Sequence, residues 1–474
     1  MKAVNLIFKI HQPYRLKRYR FFDIGNDHYY FDDFSNEEII SRIAEQSYVP
    51  TAHLLLEMIN NPEYDFHCSI AISGTAIEQI QQSAPDFHEL LKKLAATGKV
   101  EFLSGTYSHS MASTEDPEEF IRQVNYLNRL IKAEFGQNPK VIANTELIFD
   151  DDIACIMQHM GFKAALTEGA KHILGWKSPN FVYKSASAPK LDLLLVNDKL
   201  SQDISKNFND SSWHEYPLTA DKYIDWIAST PEDQQVINIF LSMETIGSFL
   251  PRETGIFEFL KALPRFAAQR GVTFSTPSET IKKLKPVDAL AIPYPLSGTD
   301  EARDVSAWKG NTMQREALNK LYGIAERVDM CKDRGIQRDW SRLQNSDHFY
   351  YMSTKQRADG ASHSLFSPYD SPFSAFTNYM NVLADFMVRV REQFPEEIEN
   401  EELNSLLLTI NNQASEIEEL KKEVKNLRTT LANDEDIKVD NLVPVEAADV
   451  EAPKPAKKPT RKTSSKKTAK KKER

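Results

Sequence analysis

Cysteine is scarce in this 474-residue chain: Cys68, Cys155 and Cys331 are its three, widely separated and odd in number. They make no disulfide framework and offer no metal-ligand spacing. Long apolar runs are missing as well. Nothing approaches the ~20 residues that span a bilayer. At the N-terminus Lys9 interrupts a short apolar run, and neither a leader's apolar region nor a cleavage site is found. A cytoplasmic location and no membrane contact are expected. No Gly-x-Gly-x-x-Gly follows any strand-like run, which disfavours a dinucleotide-binding doubly wound sheet.

What is present has the balance of an ordinary globular protein, 41% hydrophobic and 27% charged. The net charge of −10 conceals two opposite parts. Residues 453–474 hold nine Lys, two Arg and one Glu, a charge of +10, which leaves −20 on the other 452. That tail has no apolar residue larger than Ala or Pro and cannot bury enough surface to fold, so a disordered tail is expected. It either solubilises the chain or contacts nucleic acid or another polyanion.

Strand-like runs at residues 4–10, 66–72, 100–103, 141–143, 163–166, 191–196, 236–241 and 272–274 alternate with helical patterns. In residues 118–134, for example, Phe120, Val124, Leu127 and Ile131 share one helix face. Such alternation implies parallel strands with helical crossovers, and a barrel is favoured over an open sheet. The reading is an α/β fold: a (β/α) barrel over residues 1–290, a helical domain over 291–395, a coiled coil over 396–433, and an acidic linker with a Lys-rich tail over 434–474. In the coil, Leu403, Ile410, Ile417, Val424 and Leu431 take position a, and Leu406, Gln413, Leu420 and Leu427 take d. Branched residues at a with leucine at d favour a parallel two-stranded coil, so a homodimer through 403–431 is expected.

Four strand ends carry polar groups, where α/β barrels build their sites. His11-Gln12-Pro13 follows the first strand and offers an imidazole and an amide for sugar hydroxyls. The stretch from Gly98 to His109 holds Glu101, Ser104, Thr106, Tyr107, Ser108 and His109. Asn144-Thr145-Glu146 places a carboxylate among hydrogen-bonding side chains, the setting a glycosidic nucleophile needs. Asp150, Asp151 and Asp152 read instead as charges at a helix N-terminus. Finally, Ser242 and Glu244 lie two apart at a strand end, on one side of an extended backbone.

In this order these segments resemble glycoside hydrolase family 57, in its α-amylase-like branch. The resemblance extends to Thr276-Pro277-Ser278-Glu279, Trp308, Gly310 to Gln314 and Ser346 to Met352, covering about residues 1–390. It implies an incomplete, seven-stranded (β/α)7 barrel followed by a helical domain, retaining hydrolysis of α-glucosidic bonds, and neither metal nor cofactor. Glu146 takes the nucleophile's place. His11, His109 and Glu244 fall at motif positions lining an α-glucan cleft, and Trp308, Asp347 and His348 reach it from the helical side.

The family's general acid is an aspartate two residues before the motif glutamate, where this chain has Ser242. A serine hydroxyl cannot usefully protonate a departing oxygen, and losing that assistance typically costs about 10²–10⁴-fold. For Glu244 to substitute, its carboxyl would have to stand about 5–5.5 Å from the nucleophile. Either an active hydrolase or a catalytically impaired glucan-binding scaffold fits. A metal-dependent deacetylase fits poorly, because none of the 11 histidines has another within five residues.

Overall fold

The computed structural model describes residues 2–299, 301–355 and 366–393. The coiled-coil, linker and tail expectations for residues 396–474 lie outside them.

Among the described residues ten strands form: β1 (Lys2–Ile10), β2 (Cys68–Ile72), β3 (Val100–Leu103), β4 (Val141–Ala143), β5 (Ala164–Glu168), β6 (Val182–Ser185), β7 (Asp192–Val196), β8 (Val236–Ser242), β9 (Val272–Ser275) and β10 (Ala289–Leu290). Seven of them close a parallel ring. β1 pairs β2 and β8, β2 pairs β3, β4 pairs β5, β5 pairs β7 and β7 pairs β8. A bridge between Ser104 and Ile142 joins β3 to β4 and completes the circuit. β9 adds alongside the first half of β1, from Lys2 to Asn5.

All eight predicted runs are strands, with ends shifted by a residue or two. β6 and β10 escaped the sequence reading. β6 runs antiparallel to β7 and carries the two-residue β10 on its far side. β10 falls in the proline-rich stretch near 286–295, where too few residues remain to show an alternation.

Period-two alternation explains the layering. Inward residues such as Ile7, Ala71, Leu103, Ala143, Leu166, Leu194 and Val236 fill a small apolar barrel interior. Outward residues build two larger cores against the helices, one around Leu6, Phe8, Ile70 and Phe102, the other around Ile142, Ala165 and Leu193. The helix Pro117–Phe135 shows why the local sequence works. Asp116 caps its N-terminus by accepting from the amides of Glu118 and Glu119, Pro117 opens the first turn, and Gly136 ends it at φ 70°. Phe120, Val124, Leu127 and Ile131 are all buried as predicted.

Beyond residue 305 the described chain is helical, including Thr312–Tyr322, Arg334–Leu343, the short Ser346–Tyr350 and Pro372–Gln393. Leu318, Leu343, Phe349, Tyr379 and Phe386 from these helices share the second core with Phe120, Ile142 and Ile153 of the barrel layer. Residues Met1–Glu397 accordingly make one compact unit.

Candidate active site

Because the seven ring strands are parallel, their C-terminal ends open on one face. There β1 delivers His11 and Gln12, β3 leads to His109, β4 to Glu146, β5 ends on Glu168, β7 leads to Asp198, and β8 to Ser242 and Glu244. A cleft of about 630 Å³ opens among them, lined by Lys9, Glu146, Glu168, Asp198, Ser242, Thr299 and Arg303. Lys206, Asp210 and Glu301 are the other charged groups on its wall.

Glu146 sits in a tight turn, Thr145–Leu147, with φ 45° and ψ 34°. Leu147 (φ 58°) and His109 (φ 51°) share this left-handed conformation, sparse for residues with a side chain. Each such residue costs on the order of 1–3 kcal/mol and persists only where surroundings impose it. Here Glu146 Oε1 meets Lys9 Nζ at 2.6 Å and His109 Nε2 at 2.9 Å, while Thr299 Oγ1 donates to Oε2 at 3.2 Å. Its carbonyl accepts the Gly298 amide at 2.8 Å.

Burial by itself would lower the Lys9 pKa, but the carboxylates of Glu146, Glu244 and Asp347 more than reverse this and raise it. Lys9 therefore stays an ammonium inside the barrel mouth. His109 behaves oppositely. Burial first, then the neighbouring His11, bring it down to about 4 despite Glu146. It is neutral at pH 7 and acts as an N–H donor to the carboxylate. His11 stacks on it with ring centroids 4.0 Å apart, and its own nitrogens engage Ser73 Oγ at 2.7 Å and Asp347 Oδ2 at 3.1 Å.

Glu244 is 2% exposed and held as an acceptor on both oxygens. Tyr48 and Gln12 donate to Oε1, and the Ser242 hydroxyl donates to Oε2. Glu244, His11 and Asp347 line a small recess beside the main cleft, in which Lys9 and Ser242 also take part.

Glu168, at the tip of β5, is 4% exposed. Burial lifts its carboxyl to about 8; Arg303 opposes the rise and Asp198 adds to it. Arg303 is mostly engaged elsewhere. Its Nη2 lies 2.6 Å from Asp198 Oδ2 and its Nη1 donates to the Gly298 carbonyl at 2.6 Å, leaving Glu168 Oε2 3.8 Å away.

The structure thus brings together Glu146, Ser242, Glu244, His11, His109 and Asp347. It leaves Trp308 and His348 off the cleft. Trp308 is fully buried in the second core beside Tyr350. His348, 2% exposed, turns its Nε2 to the Arg342 carbonyl at 3.2 Å, and burial lowers it to about 4. The Thr276–Glu279 stretch does structural work: Thr276 and Glu279 form a capping box on helix Pro277–Lys283, and Glu101 receives the Ser278 amide at 2.9 Å. Asp150 caps the helix Asp151–His159, as its sequence position suggested.

Sequence reasoning missed Lys9, Glu168, Thr299 and Arg303. Lys9 carried a signal, since Asn5, Ile7 and Lys9 alternate onto one strand face and a lone cation there needs a partner. Glu168 carried one too, being a carboxylate at a buried strand's end just before Gly169. Thr299 and Arg303 sit in a loop and carried none.

A closed parallel barrel presenting several buried carboxylates to one open, polar cleft defines an α/β-barrel protein with its site at the C-terminal face of the strands. Within that class the chain belongs to glycosyl hydrolase family 57, whose model matches residues 5–293. A protein of Methanocaldococcus jannaschii that carries a provisional alpha-amylase name is 39% identical over 403 residues, 82% of this chain and 85% of that protein. Alpha-amylase 1 of Dictyoglomus thermophilum is 25% identical over 132 residues, 28% of this chain and 18% of its own length. Among solved structures, a branching enzyme of the same family from Pyrococcus horikoshii is 13% identical and superposes with a TM-score of 0.60, covering 81% of this chain and 88% of its own. A 4-alpha-glucanotransferase from Thermococcus litoralis is 14% identical with a TM-score of 0.57, covering 81% and 59% respectively. The last two share the fold.

Proposed function

We propose that this protein acts on α-glucans with retention of configuration and Glu146 as nucleophile. The observation that carries the reading is the grip on Glu146: a strained backbone at a strand end, with Lys9, His109 and Thr299 fixing both carboxyl oxygens at the cleft. A carboxylate so oriented need not reorganise before attacking an anomeric carbon. His11, Asp347 and Glu244 form a polar wall beside the cleft. Isothermal titration with maltoheptaose and a reducing-end assay test this. Glu146→Gln should retain binding and lose turnover; unchanged turnover would sink the assignment.

A second reading, a glucan-binding protein of impaired turnover, is favoured by Ser242, whose hydroxyl is already committed to Glu244. Hydrolysis should run well below that of an enzyme with aspartate there. Ser242→Asp should then raise turnover by about 10²-fold or more if a missing acid is the defect. We further propose a cytoplasmic location, pairing of two copies through residues 403–431 and polyanion contact by 453–474. Sedimentation of the full chain against one ending near Pro395 tests the pairing. Among the described residues no helix is long and apolar enough to cross a membrane.

A further inference from the structure

We propose that Glu168 is the proton donor of this site, standing in for the acid that Ser242 cannot supply; the proposal rests on Glu146 being the glycosidic nucleophile. Three observations converge. Glu168 and Glu146 follow adjacent ring strands, β5 and β4, which are in parallel register with Ala143 opposite Leu166. Neighbouring strands lie about 4.8 Å apart, so the two residues stand at adjacent points of the barrel rim.

One loop touches both groups. Thr299 donates to the Glu146 carboxylate. A Cβ built on Gly298, the residue before it, would stand 3.4 Å from Glu168 Oε2 and 3.6 Å from the Glu146 carbonyl. Both residues therefore line the same cleft, with this loop against each of them.

The chemistry of the surroundings separates Glu168 from its rival. Glu244 accepts three hydrogen bonds, from Tyr48, Gln12 and Ser242, and would have to break one to donate. Glu168 accepts from the Gly169 backbone amide but from no side chain among the described residues, and Arg303 spends its short contacts on Asp198 and Gly298. A buried carboxyl in that position keeps its proton at neutral pH, as a general acid must, while Glu146 is held by an ammonium. Environment pushes the two carboxyls to opposite roles.

The steps balance. A Glu146 oxygen bonds to the anomeric carbon as that carbon's bond to the departing oxygen breaks, and the Glu168 proton passes to that oxygen, freeing an alcohol. Water then attacks the anomeric carbon while giving a proton to the Glu168 carboxylate, and the bond to Glu146 breaks.

Leaving-group dependence tests the assignment in the full-length protein. Maltoheptaose needs a protonated leaving group, whereas α-maltotriosyl fluoride does not. Glu168→Gln should lose at least 100-fold on maltoheptaose, and at least tenfold less than that on the fluoride. Azide should accelerate the variant on the fluoride and give α-glycosyl azide, the product expected when the missing group is the acid and base. Equal losses on both substrates without azide rescue, or maltoheptaose turnover within twofold of wild type, overturn the proposal. A wild type that cleaves the fluoride but no glucan overturns the donor and leaves the Glu146 nucleophile standing. If wild type cleaves neither, the hydrolase reading falls and the donor falls with it.

Discussion

Replacing Glu168 by glutamine should stabilise the folded protein, by an amount that grows with pH. Burial lifts this carboxyl from 4.5 to about 8. Between those values the unfolded chain has released a proton that the folded chain still holds. An acid whose folded pKa is raised therefore loses stability as pH climbs through that window, and the loss is flat outside it. Each pH unit in the window corresponds to about 1.4 kcal/mol. Near pH 4.5 the wild type bears a cost well under about 1 kcal/mol, at pH 7 about 3 kcal/mol, and at pH 8.5 about 4–5 kcal/mol. Glutamine has no proton to lose and escapes the cost. For a unit the size of Met1–Glu397, about 3 kcal/mol corresponds to a rise of about 4 °C in midpoint. Equilibrium urea unfolding of both proteins at pH 4.5, 7 and 8.5 gives the difference directly, and titrating groups remote from Glu168 cancel in it. A variant-minus-wild-type difference that stays constant or shrinks with pH would refute the reasoning, because it would mean the carboxyl ionises in the fold as it does in water.

Three further substitutions test other parts of the fold. Lys9→Met leaves the Glu146 carboxylate without its 2.6 Å ammonium partner, so it should cost about 3–5 kcal/mol in urea unfolding and lower glucan turnover. Gly247→Ala places a methyl 2.1 Å from the Gln46 carbonyl at a backbone φ of 98°; a loss of about 3 kcal/mol or more, read as a lower melting midpoint, is expected. Thr276→Ala removes a capping-box hydroxyl from helix Pro277–Lys283 and should cost about 1 kcal/mol while leaving maltoheptaose binding unchanged.

The strands of the ring were legible because buried parallel strands leave short, nearly continuous apolar runs, and β1 through β9 mostly have them. β6 and β10 were not, since four and two residues are too few for a period to show. The helix Pro117–Phe135 was legible in its apolar face, because Phe120, Val124, Leu127 and Ile131 recur at helical spacing. Glu146, Glu244 and the histidines could be picked out as polar groups at strand ends. Trp308 shows the reverse case: an aromatic near the motifs reads equally as a sugar platform or as core, and here the second core takes it.

By itself the sequence determined eight of the ten strands described, their alternation with helices, and the strand-end positions of Glu146, Ser242 and Glu244. All of these depend on neighbours within a few residues. Tertiary structure alone decided the electrostatics. Lys9 and Glu146 are 137 positions apart, Thr299 and Glu146 are 153 apart, and Arg303 reaches back to Asp198 across the same cleft. Ring closure brings them within a few ångströms. Burial then sets the charge of each group, so that one glutamate at the cleft is held by an ammonium while its neighbour keeps a proton.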